Sequence, residues 1–209
     1  MPENPSLTDE QKEAAKFLDR DFRECFQQMR HYDAQIVDIC KFAFTGYIAV
    51  VGAALALYKY GVDKSIDYMP VSVAVLALAG VFGLMLLGLA VRNRVYFVLM
   101  ARYVNEHRRF FLKATPLGFA NESRMYTNAG QPPYFSWLSS QAWLMYILAL
   151  LNSAVLTVAL VLLGLSQEWP ACVYVVFGLA MLAAQLIVSI VYLVKRESKS
   201  ASAAVWGKE

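Results

Sequence analysis

Four long apolar blocks without a single charged residue set the strongest constraint on how this chain can fold. They occupy 42–58, 70–91, 142–165 and 171–194, and none contains Asp, Glu, Lys, Arg or His. A helix needs about 20 apolar residues, in a range of roughly 17 to 25, to cross the hydrocarbon core of a bilayer. The sequence therefore predicts an all-α integral membrane protein with four transmembrane helices. Buried helices of a soluble protein are the alternative, but so little chain remains that it could hardly cover them.

The distribution of Lys and Arg predicts how these helices are oriented. Six of the 19 basic residues precede the first block, two lie in 59–69, seven in 92–141, none in 166–170 and four in 195–209. Because segments rich in Lys and Arg stay in the cytoplasm, we expect 1–41, 92–141 and 195–209 to be cytoplasmic and 59–69 and 166–170 to be periplasmic. The predicted location is the bacterial inner membrane, with both termini in the cytoplasm.

Apolar residues recur with heptad spacing before the first block. Thr8 and Gln11 have the spacing of a capping box, which satisfies amide groups at a helix start. After them, steps of three and four residues form a stripe typical of a helix with one apolar face: Ala15, Leu18, Phe22, Cys25, Met29, Tyr32, Ile36 and Ile39. With no Pro or Gly between Thr8 and Gly46, we expect this helix to continue into the first span.

A second stripe follows the second block and predicts that this span extends to about Lys113. It consists of Tyr96, Met100, Tyr103, His107 and Phe110. Residues 1–41 carry six basic and nine acidic groups, a balance of −3, whereas 92–141 carry seven and two, a balance of +5. The two cytoplasmic helices should therefore attract each other, either as an antiparallel hairpin within one chain or through a neighbouring subunit or a second protein.

The stretch "RYVNEH" contains the best candidate for catalysis. Arg102 and His107 match the arginine, four residues, histidine pattern of HEPN-type ribonucleases, in which His acts as acid or base and Arg holds a phosphate. Five residues at about 100° each place the two side chains about 140° apart on one helix, so they could converge only with a second subunit. Glu106 is spaced for local ion pairs with Arg102 and Arg109. A structural role is the favoured interpretation.

Arginines at the membrane boundary predict contact with lipid headgroups. Arg92 and Arg94 follow the second block directly, and Arg108 and Arg109 lie further along the same helix. Anionic lipid attracts each basic side chain near its surface by about 1 kcal/mol. No nucleic-acid-binding motif accompanies these arginines, so we expect anchoring to lipid rather than a nucleic-acid partner.

Polar and small residues inside the blocks predict contacts between helices. Asn152 and Gln185 are the two amides, and an amide in hydrocarbon needs a partner on a neighbouring helix. Gly80, Gly83 and Gly88 permit close approach on the second span. Ordinary packing within one four-helix bundle is one interpretation. A homo-oligomer, with a subunit interface or pore at these residues, is the other.

Several activities lack support in the sequence. The blocks contain no charged residue of the kind that marks proton and ion pathways, and the chain has no P-loop, HExxH, Ser-elbow or kinase motif. Cys25, Cys40 and Cys172 have no metal-ligand or disulfide-framework spacing. We therefore expect a non-enzymatic protein with no cofactor and no bound metal.

The stretches "ECFQQMRHYDAQI", "RNRVYF", "YVNEHR" and "QPPYF" carry a resemblance to a group of bacterial four-span membrane proteins. By architecture, the chain also resembles small multi-span effectors and sensors of bacterial anti-phage defence. The second resemblance implies a soluble cytosolic partner and an output at the membrane, such as a pore. The leading expectation is an oligomeric membrane effector or sensor. A membrane-tethered ribonuclease and a structural or transporter-accessory subunit remain alternatives.

Overall fold

The protein, seen in a computed structural model, consists of four α-helices that run antiparallel to their neighbours in the chain. The structure describes residues 8–113, 121–122, 126–165 and 167–199. Within these ranges, α1 spans Asp9–Lys64, α2 spans Met69–Lys113, α3 spans Ser140–Leu165 and α4 spans Ala171–Ser198. All four are long and apolar enough to cross a membrane. The all-α fold and the four candidate spans are thus confirmed.

The first two helices are far longer than a bilayer requires. At about 1.5 Å per residue, the 56 residues of α1 extend about 84 Å and the 45 residues of α2 about 68 Å. Both pass without a break from an apolar block into a polar segment. The capping box is also confirmed, because Gln11 N donates to Thr8 Oγ1 (3.2 Å) and Thr8 N donates to Gln11 Oε1 (2.9 Å).

The connection between α1 and α2 is tighter than expected. The sequence predicted a loop over 59–69, but α1 continues to Lys64 and only 65–68 lie between the helices. Ser65 ends α1 in the left-handed conformation (φ 57°), and Ile66 N returns to Gly61 O (2.9 Å). A Cβ at residue 61 would strike the Ile66 carbonyl, so glycine permits this tight return of the chain.

The core of the bundle lies among α1, α2 and α3, and α4 packs on its outside. Fully buried side chains in the first three helices include Ile36, Leu76, Val98 and Leu148. In α4 the only buried residues are Gln185, Ser189 and Leu193. Leu182 and Leu186 pack partly buried against the core, and many of the other apolar side chains of α4 face outward.

Candidate functional site

A buried arginine on α2 holds the loop that leads into α3. Arg94 is only 3% exposed. Its Nε donates to Tyr134 O (3.0 Å), Nη2 to Pro133 O (2.7 Å) and Nη1 to Gln141 Oε1 (3.2 Å). The three nitrogens of one guanidinium thus fix a stretch of backbone and the first turn of α3.

A second arginine joins the same loop to the end of α4. Arg102 Nε donates to Pro132 O (3.0 Å), and its Nη2 forms an ion pair with Glu197 Oε1 (2.6 Å). The other oxygen of Glu197 accepts from Tyr134 N (2.9 Å). The guanidinium also lies over the Tyr134 ring, 4.7 Å from its centre. Glu197 therefore links α2, the loop and α4.

Two further contacts extend this arrangement to a third residue of α2 and to α1. Asn105 Nδ2 donates to Asn128 O (3.2 Å) and Gln131 O (2.8 Å). Gln141 Nε2 donates to Asp33 Oδ1 on α1 (2.8 Å). We call the whole arrangement the arginine clamp, formed by Arg94, Arg102, Asn105, Gln141, Asp33, Glu197 and the carbonyls of 128–134.

The local sequence explains why arginine is suited to this task. Positions 94, 102 and 105 fall within about 80° on a helix, so their side chains reach the same loop. The loop contains Pro132 and Pro133, which carry carbonyl acceptors but no N–H donors. Arginine supplies several donors in a rigid planar fork and can satisfy adjacent carbonyls together.

The clamp corrects the predicted role of one boundary arginine. Arg94 was expected at the lipid surface with Arg92, but it lies inside the protein. Burial and, to a lesser extent, the nearby charge of Arg102 lower the pKa of Arg94 to about 10, and the charge of Asp33 opposes this shift. Arg92 does lie at the surface, where its Nη2 donates to Tyr96 Oη (3.0 Å).

The far ends of α1 and α2 meet around Asp21. Tyr103 Oη donates to Asp21 Oδ2 (2.9 Å), and His107 Nε2 lies 3.3 Å from the same oxygen. That Nε2 has no hydrogen bond of acceptable geometry, while Nδ1 lies 3.1 Å from Tyr103 O. His107 is 6% exposed and packs against Phe22, with ring centres 6.2 Å apart.

Arg102 and His107, the candidate nuclease pair, thus contact different neighbours. Arg102 holds the proline loop and Glu197 on α4, whereas His107 faces Asp21 on α1. Both side chains are almost fully buried. The structure does not bring them together in an open site.

The heptad stripe of α1 lies along its packed side. Leu18, Phe22, Cys25, Met29 and Tyr32 are partly buried, and Ile36 is fully buried. On α2, Tyr96 stacks on Tyr32 (5.7 Å between ring centres) and Tyr103 bonds to Asp21. Phe110 departs from the predicted packing, because it is 61% exposed and its ring contact in the structure is with Phe111.

A cavity lies between the outer parts of α1 and α2 and the clamped loop. Its volume is about 730 Å³, and its walls include Phe26, Met29, Phe97, Ala101 and Arg108. The Arg108 guanidinium stands over three rings, at 5.8 Å from Phe22, 5.6 Å from Phe26 and 5.2 Å from Tyr126. Arg109, the other arginine expected at the lipid surface, is partly buried beside it.

A second polar network lies within the apolar blocks. Tyr47 on α1 donates its hydroxyl hydrogen to Asn152 Oδ1 on α3. Asn152 Nδ2 donates to Gln185 Oε1 on α4 (2.9 Å), and Gln185 Nε2 donates to Ser153 Oγ (2.9 Å). Asn152 is fully buried and Gln185 is 6% exposed. The amides therefore join helices of one chain, as packing within one four-helix bundle predicts, and a subunit contact at these residues stays a prediction.

The three glycines of α2 have different surroundings. A Cβ on Gly83 would overlap the Tyr47 hydroxyl and Asn152 Oδ1, and a Cβ on Gly80 would overlap Leu156. Gly88, by contrast, has no neighbouring atom within 4 Å of such a Cβ. The predicted close approach is thus found at Gly80 and Gly83 but not at Gly88.

Sequence reasoning missed Glu197, Gln141 and Tyr47 as members of these networks. A lone Glu in a polar tail, a Gln at a helix start and a Tyr in an apolar block carry no signal of their partners. Among the described residues, no three of His, Cys, Asp and Glu lie close enough to hold a metal ion. Comparison of the chain with protein-family models, with curated proteins and with solved structures found no match.

Proposed function

We propose that this chain is a non-enzymatic, multi-pass protein of the bacterial inner membrane, which receives a signal or partner on its cytoplasmic side and alters the membrane in response. Seventeen of the 19 basic residues lie outside 59–69 and 166–170, and this asymmetry supports placing the arginine clamp and both termini in the cytoplasm. The architectural resemblance to small membrane effectors and sensors of anti-phage defence supports an output at the membrane.

The observation that carries the proposal is the arginine clamp itself. Arg102 and Tyr134 N both bond to Glu197, so the loop is attached to the end of a helix that is itself loosely packed. Gln141 on α3 donates to Asp33 on α1 and accepts from Arg94, which holds the same loop. Movement of the cytoplasmic part of α1 or α2 would therefore reach α4 through bonded groups rather than through solvent.

The cavity of about 730 Å³ supports the reception step. Ligand sites usually have volumes of about 300–1,000 Å³, apolar walls and a few placed polar groups. Here the aromatic rings of Phe26 and Phe97 supply apolar wall and Arg108 supplies a cation. An anionic ligand with a planar or apolar part is the kind of signal that such walls favour.

Exposed apolar groups support protein partners. Phe17 and Phe110, near the outer ends of α1 and α2, are 57% and 61% exposed, and they suit contact with a soluble cytosolic protein. The first half of α4 exposes Val175, Val176 and Leu179. That surface suits association between copies of this chain in the membrane.

Uptake of a membrane-impermeant dye by a bacterial host that expresses the chain tests the proposal. We expect uptake above the empty-vector level. Filling the cavity with Ala101→Leu should change uptake, whereas Ala14→Leu on an exposed face of α1 should not. Glu197→Gln should also change dye uptake, because it weakens the link between the loop and α4. Glu13→Gln, which alters an exposed ion pair, is the control for this variant.

Two results would overturn the proposal. Dye uptake and membrane potential equal to those of the empty vector, at matched protein levels in the membrane, would remove the effector role. Equal uptake with Ala101→Leu, Glu197→Gln and the two controls would detach any membrane activity from the cavity and the clamp.

A further inference from the structure

A groove separates α2 from the second half of α4 at the surface of the bundle. Its volume is about 520 Å³, and its apolar walls include Leu84 and Gly88 on α2 and Ala184 and Val188 on α4. The groove exists because small residues face each other: a Cβ on Gly88 would meet no atom within 4 Å. It lies inside the apolar blocks, on a surface that a membrane would cover.

Two polar side chains beneath the groove, Gln185 and Ser189, are already satisfied within the chain. Gln185 exchanges hydrogen bonds with Asn152 and Ser153 (both 2.9 Å), and Ser189 Oγ donates to Gln185 O (2.8 Å). Neither group requires a partner in the groove. Its occupant should therefore be apolar along this length.

One end of the groove is marked by a cation. Arg92 lines that end and is the first residue after the uncharged block 70–91, the level at which hydrocarbon gives way to headgroups. Its guanidinium bonds to the neutral hydroxyl of Tyr96 (3.0 Å), and none of the ion pairs found in the described ranges includes it. A cation at this depth attracts the phosphate of an anionic lipid.

We propose that the groove binds one acyl chain of an anionic glycerophospholipid whose phosphate contacts Arg92. The eight residue steps from Leu84 to Arg92 span about 12 Å, so the groove holds the part of the acyl chain next to the headgroup. A transmembrane helix of a second copy, about 10–12 Å wide, would instead bring its own side chains to the cation. An apolar wall that ends at a cation matches the order of acyl chain and phosphate in a lipid.

This inference rests on membrane insertion and not on the effector role. Native mass spectrometry of the full chain, with phosphatidylglycerol or phosphatidylcholine added to detergent, tests it directly. We expect the wild type to retain one phosphatidylglycerol in preference to phosphatidylcholine. Arg92→Gln should lower the affinity for phosphatidylglycerol about fivefold in a titration of the lipid, because about 1 kcal/mol is lost with one cation.

Matched variants separate the groove from general lipid contact. Gly88→Leu fills the groove and should lower retention at least as much as Arg92→Gln. The control Gly52→Leu lies on an exposed face of α1, where a Cβ likewise meets no atom within 4 Å, and should retain the lipid. Lys195→Gln, an exposed cation near the end of α4, is the control for charge.

Three outcomes would overturn the inference. One is equal retention by Gly88→Leu and Gly52→Leu, and another is equal retention of the two lipids by the wild type. The third is a dimer that Gly88→Leu abolishes, because it would identify a second copy as the occupant. If Gly88→Leu unfolds, Ala184→Leu fills the groove from the opposite wall and must lower retention for the inference to stand.

Discussion

The protein buries polar groups in two regions and satisfies them in different ways. Within the apolar blocks, the side chains of four residues bond to one another: Tyr47, Asn152, Gln185 and Ser153. Next to the blocks, two buried arginines bond to carbonyls and to one carboxylate. Charge is costly in hydrocarbon, so amides and hydroxyls suit a network among helices apolar enough to cross a membrane, whereas the clamp can use full charges.

The two regions also differ in what their hydrogen bonds fix. The amide network joins three regular helices whose backbone bonds are already complete. The clamp supplies bonds to the irregular backbone of 128–134, whose carbonyls have no helix to satisfy them. Substitution of a clamp residue should therefore lower the free energy of unfolding more than substitution of an amide. The predictions run from the largest expected effect to the smallest.

The largest effect is expected for Arg94→Leu. It removes three bonds from a charged donor, each worth about 1.5–3 kcal/mol when measured alone. Because such losses are not additive, we expect the free energy of unfolding in detergent to fall by about 3–5 kcal/mol, in line with other broken buried charges.

Trp137 and Trp143, near the clamped loop, give the fluorescence signal for that measurement. Arg92→Leu, two residues away on the surface, should change the unfolding free energy by no more than about 0.5 kcal/mol. Equal losses from the two variants would show that the clamp contributes nothing beyond its place on α2.

The second prediction concerns two glycines of α2, one of which lies against the polar network within the apolar blocks. Gly83→Ala should displace the Tyr47 hydroxyl from Asn152, and overpacking of this kind costs about 1–3 kcal/mol. Gly88→Ala, five residues along α2, meets no atom and should be neutral or stabilising, since Ala favours a helix by up to about 1 kcal/mol over Gly. Thermal unfolding of both variants in one detergent compares them, and Gly83→Ala must melt at the lower temperature.

The sequence predicted the helices well because their signal is local. Uncharged blocks, heptad spacing and the Thr8 capping box each depend on neighbours along the chain. A helix that extends from the first span to Thr8 follows from the absence of Pro and Gly. The bounds of the 59–69 connection were wrong because the left-handed turn at Ser65 and the close approach at Gly61 depend on where α2 returns.

The networks were harder to predict because their partners are distant in sequence. Arg92 and Arg94 have nearly the same local sequence, yet one is exposed and the other is 3% exposed. They lie about 200° apart on α2, and which side meets the proline loop depends on residues 40 positions away in the chain. In the same way, Asn152 was singled out correctly as an amide that needs a partner, but its partners Tyr47 and Gln185 lie within the same chain.

The third prediction tests that intramolecular pairing. Asn152→Leu and Gln185→Leu should each lower the unfolding free energy by about 0.6–2 kcal/mol, the range for hydrogen bonds between membrane helices. Because the two amides bond to each other, the double variant should cost less than the sum of the single ones. Additive losses, or an oligomer that dissociates without any change in unfolding, would place these amides at a subunit contact instead.

The smallest effect is expected at the outer end of the hairpin, where Tyr103 bonds to Asp21. The bond to Asp21 raises the pKa of Tyr103 above its usual 10, and burial and the Asp21 charge add to it. Since the folded-state pKa exceeds that of the unfolded chain, the contribution of this bond is complete below pH 10 and is lost as pH rises through the folded value.

Tyr103 is 41% exposed, so Tyr103→Phe should lower the free energy of unfolding by less than about 1 kcal/mol. The difference in melting temperature between wild type and Tyr103→Phe should stay constant from pH 7 to about 9 and shrink above 10. A difference that grows with pH would mean that Tyr103 does not donate to Asp21, and it would remove this contact from the pairing of α1 with α2.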